Sequence, residues 1–123
     1  MNLDENPYGN IQSTTLTDEE SRIIEEIKEK VFDADVRDGL SIVEGLIQEW
    51  LPDAEGTVIE EFLKSLWNHF YAIRLIREEG DFAKTFSLIE EAANGFRQVG
   101  QQELADLSEG LSAYTVAIEE LHK

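Results

Sequence analysis

Residues 57–79 read TVIEEFLKSLWNHFYAIRLIREE. At about 100° per residue, Ile59, Phe62, Leu66, Phe70 and Ile73 share one face of a helix. Leu63, Trp67, Tyr71 and Leu75 make a second row, each four residues beyond the last and turned well away from the first. A helix that is apolar on two sides needs neighbours on two sides. The stretch is therefore expected to be the central helix of an all-α domain.

The flanks of this helix carry start and stop signals. Thr57 and Glu60 have the spacing of a capping box, and Gly80 stands where a left-handed residue ends a helix. Upstream, Pro52 closes an earlier helix of about Val36 to Leu51, which Asp35 can cap and along which Val36, Leu40, Val43, Ile47 and Trp50 recur at three and four residues. Before that, Thr17 and Glu20 form a capping box for a first helix marked by Ile23, Ile24, Ile27 and Val31 and ending near Asp33. Downstream, Asp81 opens a fourth helix along Phe82, Phe86, Ile89, Ala93 and Phe96, and Gly100 breaks it. A fifth helix over 101–121 carries Leu104, Leu107, Leu111, Tyr114, Ile118 and Leu121 in a heptad-like row. Residues 1–16, with Pro7, Gly9 and no apolar periodicity, read as a flexible leader. The expected fold is thus about five helices in tandem antiparallel hairpins: a leader (1–16), a hairpin (17–51), a second hairpin (57–98) and a closing helix (101–121).

Composition bounds the function. The chain has 123 residues, 41% of them hydrophobic, enough for one core. It has no cysteine, which excludes disulfides, thiolate metal sites and cysteine nucleophiles. The acidic start of the chain does not resemble a targeting signal, and no apolar run is long enough to span a membrane, so a cytoplasmic protein is expected. Net charge is −17, with 17 acids against 4 bases over 1–61 and 10 against 6 over 62–123. Binding to nucleic acid or an anionic membrane requires Lys and Arg clusters that this balance does not offer. A basic protein partner is favoured instead, while acidic helix faces also serve simply as solvated surface.

The chain resembles itself at an offset of 46 residues. Asp35, Ser41 and Glu44 lie over Asp81, Ser87 and Glu90, and Ile24 and Ile27 over Phe70 and Ile73. Two helix pairs in tandem fit this pattern. Gly80-Asp81-Phe82 followed by Thr85, Ile89 and Ala92 resembles the second half of a tetratricopeptide repeat, over about 20 residues. The sequence departs from that family at Ile73, where a small residue is usual, and at His69, where a tryptophan is usual. Its period is also longer than the family's, roughly 34 residues. The resemblance implies a protein-binding scaffold with a groove between stacked hairpins, and it carries no binding residue over.

Three segments invite chemistry. Asp33, Asp35, Leu40 and Glu44 sit at the first, third, eighth and twelfth places of an EF-hand-like loop. Arg37 replaces an oxygen ligand and Asp38 the turn glycine, so a calcium binder would be a degenerate one. Glu119 and His122 make one Glu-x-x-His, where a di-metal bundle site needs two such motifs. His69 lies at the edge of the central helix's apolar face and reads as packed. With no phosphate loop or nucleophile elbow, neither catalysis nor a cofactor is expected. The chain is read as a non-catalytic protein-interaction module. Its candidate partner surface is Trp67, Tyr71, Leu75 and Arg74, and Leu104, Leu107, Leu111, Tyr114 and Ile118 form a candidate homodimer seam. The alternative is an acidic inhibitor that occupies the basic site of a nucleic-acid-binding protein. Arg77, one turn from the end of the central helix, suits a cation at the negative end of the helix dipole.

Overall fold

The computed structural model describes residues 16–78 and 80–122. They form α1 (Asp18–Phe32), a short 3₁₀ turn (Val36–Asp38), α2 (Gly39–Trp50), α3 (Val58–Glu78), α4 (Phe82–Gln98) and α5 (Gln102–Leu121). Consecutive helices pack on one another across short connections, which gives the expected tandem antiparallel hairpins. The expected leader lies outside the described residues apart from Leu16. That residue is not free, since it packs on the core.

Local chemistry sets the ends. At α1 the capping box is formed: Glu20 N–H donates to Thr17 Oγ1 at 3.0 Å, and Thr17 N–H to Glu20 Oε1 at 2.9 Å. Asp35 is a cap too, but it accepts from Arg37 N–H and opens a 3₁₀ turn, so the α-helix begins only at Gly39 rather than Val36. The box expected at α3 is displaced. The Thr57 hydroxyl donates to the Ala54 carbonyl and accepts from Ile59 N–H, and this draws it back toward the loop. Glu60 then reaches Gly56 N–H, at 2.8 Å, instead of Thr57. Asp81 caps α4 through Lys84 N–H at 2.9 Å. Gly100, at φ 76°, closes α4: Gln101 N–H donates to the Phe96 carbonyl and Gly100 N–H to that of Arg97, the paired bonds of a Schellman end. At the end of α3, Gly80 N–H donates to the Leu75 carbonyl across the same wide spacing.

The central position of α3 is realised, because it touches each of the other four helices. Phe70 stacks on Phe32 of α1, with centroids 5.6 Å apart, and lies against Gly39 of α2. Phe62 meets Phe96 of α4 edge-on at 5.9 Å. His69 reaches Ser108 of α5. Of the second row, Leu63 is fully buried, while Trp67, Tyr71 and Leu75 are half-covered. A third set, Ser65, His69, Ala72 and Ile76, is buried as well. Two of its four members are polar, so hydrophobic periodicity does not reveal it.

The closing helix holds on by an unexpected face. Ala105, Ser108 and Thr115 are its buried residues, and the side chain of Thr115 is satisfied within the helix by the Leu111 carbonyl at 2.7 Å. Small residues form its inward face, with Ser108 against His69 of α3. The apolar row of α5 is therefore turned aside: Leu104, Leu111 and Ile118 are half-covered, and Leu107 and Tyr114 are exposed.

Candidate functional site

Two residues of the turned-aside row of α5, Leu107 and Leu111, face a groove. Its walls are the end of α1 with the turn after it and the first half of α5, and α3 forms the floor. Phe32, Val36 and Leu107 retain 38%, 50% and 51% of their surface, and all three line the groove. Leu111 and Ile73, half-covered, line it as well, over the buried Val31 and Phe70. These are three of the six large hydrophobic residues left exposed among the described residues, gathered in one place. The enclosed volume, about 210 Å³, is smaller than the several hundred Å³ of an ordinary small-molecule site and suits one or two apolar side chains.

His69 sits on the groove floor. Its Nδ1 lies 2.8 Å from Ser108 Oγ, and the ring meets Phe32, Phe70 and Phe96 edge-on. Burial pushes its pKa down to about 4, so at neutral pH the ring is uncharged. A histidine within hydrogen-bond reach of a serine has the spacing of a base and its nucleophile. Here the serine is wholly buried on α5, so its oxygen is not offered to a substrate. The pair ties α3 to α5 under an apolar roof.

The four residues singled out from the sequence fall on another flank of α3. Trp67 and Tyr71 are adjacent, with centroids 4.9 Å apart. The Trp67 indole Nε1–H donates to Glu44 Oε2 at 3.2 Å, and Lys84 Nζ lies 5.1 Å from the centroid of the Tyr71 ring. Trp67 also borders a separate recess of about 380 Å³ with Ile47, Leu51 and Leu63. Leu75 packs with Leu88 and Ile89, and Arg74 is exposed and paired with Glu78 at 3.1 Å. Trp67, Tyr71 and Leu75 thus meet side by side but are engaged with α2 and α4, while Arg74 belongs to the cleft beside the groove.

The EF-hand-like segment is used otherwise. Arg37 grips Asp35 with a two-point fork, Nε at 3.1 Å and Nη2 at 2.9 Å, which holds the Asp35 carboxyl down to about 2. Glu44 is on α2 and turned to Trp67. Among the described residues no three His, Asp or Glu side chains gather closely enough to hold a metal ion, and no helix is long and apolar enough to cross a membrane. Hydrophobic periodicity alone does not reveal the groove, because Phe32 falls outside the apolar face of Ile23, Ile24, Ile27 and Val31 and Leu107 reads as part of a homodimer seam. The available signal was the run of Ala105, Ser108, Ser112 and Thr115, a second stripe of small residues on α5 that competes with the leucines for the interior. No family model, curated protein or solved structure matches this chain.

Proposed function

We propose that the protein is a non-catalytic interaction module that takes an apolar segment of a partner protein into the groove between α1, α3 and α5. The observation that carries this reading is the convergence of Phe32, Val36 and Leu107 on one concavity, with Leu111 beside them. Burying apolar surface is the main drive for association, at roughly 25 cal/mol per Å² before ordering costs are subtracted. A groove flanked by two helices and of this size fits an amphipathic helix that presents one or two apolar side chains, at i and i+4. The half-covered Trp67 pair is already occupied by Glu44 and Lys84 and has less uncovered surface to give.

Selection of peptides from a random displayed library tests the reading. The enriched peptides should carry apolar residues at helical spacing, and they should lose binding to Leu107→Glu. That variant should keep the wild-type melting temperature, because Leu107 is half exposed already. Enriched peptides that bind Leu107→Glu unchanged would remove the groove from consideration.

A further inference from the structure

Among the side chains that line the groove, His69 alone is polar. It is only 3% exposed, and its Nδ1 is taken by Ser108 Oγ at 2.8 Å. The other ring nitrogen, Nε2, has no hydrogen-bond partner among the described residues. Nor is it sealed in, since Trp50 Nε1 alone is both sealed and unpartnered among them. The groove is the concavity that His69 lines, so Nε2 opens on it.

Ser108 decides which ring nitrogen carries the proton. Ser65, Thr85 and Thr115, buried like Ser108, each donate the hydroxyl hydrogen to the carbonyl four residues back. Ser108 makes no such bond among the described residues, and its oxygen meets His69 Nδ1 instead. A wholly buried hydroxyl that only accepted would leave its hydrogen unpaired, which is costly. Ser108 therefore donates and Nδ1 accepts. In the uncharged ring the proton then sits on Nε2, a tautomer assigned from the hydrogen-bond network. The groove floor thus offers one N–H donor. We infer that the partner residue seated there is a methionine whose sulfur accepts from His69 Nε2–H, an inference that rests on the reading above.

The donor calls for an acceptor that brings no hydrogen of its own, because the apolar walls have nothing to receive one. Hydroxyl, amide and imidazole side chains bring such hydrogens. Carboxylates do not, but beside an uncharged ring a carboxylate would be desolvated with no counter-charge. The thioether is the side-chain acceptor that remains, weak and carried on an unbranched apolar stem. The Phe32 and Phe70 rings on the groove lining add sulfur–aromatic contact. A docked helix keeps its carbonyls bonded within itself, so they do not compete for the donor. Met1 is the only methionine of this chain, so a second copy cannot supply the residue from its helices.

The test takes a helical peptide from the displayed library and resynthesises it with methionine or norleucine at the residue whose change most weakens binding. Norleucine has a methylene in place of sulfur, so a merely apolar groove would hold it at least as tightly. The full chain should instead prefer methionine by about threefold, the scale of a weak hydrogen bond with sulfur–aromatic contact. His69→Leu should erase the preference. Long-range nitrogen spectra of the free wild type at neutral pH should show Nε2 protonated, which needs no variant to fold. A proton on Nδ1, or a preference that His69→Leu keeps, overturns the inference. Equal or reversed binding of the twins overturns it too, and leaves the groove standing if Leu107→Glu still weakens both. If the library yields no peptide that Leu107→Glu weakens, the groove reading fails and the methionine with it. A Met1 methyl signal that moves to its free-residue value when peptide is added would make this chain its own occupant and overturn the assignment to a partner.

Discussion

Gly95 of α4 lies so close to α3 that a Cβ there would sit 1.9 Å from Ser65 Oγ. Alanine favours a helix over glycine by about 1 kcal/mol, but this clash outweighs that gain. Gly95→Ala should cost about 1–3 kcal/mol in urea denaturation, and adding Ser65→Ala should recover most of it, since the Ser65 oxygen is the nearest obstacle and the next, Glu61 Oε2 at 2.8 Å, ends a flexible side chain. Gly39 is a stricter case, because its Cβ would enter the buried Phe70 ring at 2.4 Å and no small trimming relieves it. His69 gives a pH signature. Its folded pKa, about 4, lies below the unfolded value of 6.5, so the unfolded chain binds the extra proton between those values. The contribution of His69 is therefore fully present above pH 6.5 and is lost as pH falls toward 4, by on the order of 3 kcal/mol. His69→Gln should flatten the fall in stability between pH 7 and 5, measured by urea midpoint; an unchanged fall would assign it to other groups. At this scale the sequence disclosed what backbone chemistry enforces: Thr17 with Glu20, Asp81 and Gly100 all act as read. It concealed Ser65, Ser108 and Thr115, because small polar side chains are buried for their size and satisfy themselves on a neighbouring carbonyl or ring nitrogen.

Helices were more legible than the faces they use. All five appear in the expected order, although α2 starts at Gly39 rather than Val36, since a period of 3.6 over twelve or more residues is hard to mistake for anything else. The face of α5 was harder to read, because its leucine row and its small-residue row both repeat at helical spacing. Burial goes to the small one. Enlarging that buried face, for example Ala105→Leu, should lower the melting temperature by several degrees, whereas Leu107→Gln should leave it within a degree or so. The reverse order, read by circular dichroism, would show the leucines to be the packing face. Trp67 belongs to the same question. It is half-covered and touches both core clusters, so Trp67→Ala should destabilise by about 2–4 kcal/mol in addition to anything it does to binding.

Over the whole molecule, self-repulsion is the dominant electrostatic fact. A net −17 on 123 residues opposes compaction, and the ion pairs present, such as Arg22 with Glu26 and Lys64 with Glu60, lie on the surface and contribute little. Raising sodium chloride from low to moderate concentration should therefore raise the melting temperature, as screening weakens repulsion more than it weakens those pairs. A fall would show the pairs to matter more than the net charge. Composition made this property plain. The groove was not legible, because Phe32, Val36, His69 and Leu107 come together only when α1, α3 and α5 are laid side by side.

That arrangement places the two groove walls on the first and last helices, each fastened chiefly along one flank, α1 to α2 and α3 and α5 to α4. The spacing between them is thus set by two helices that scarcely touch each other. An occupant wedged there would act as a clasp on both extremities. Its arrival should be visible as slowed amide exchange in α1 and α5 together, in segments that share few contacts when the clasp is open.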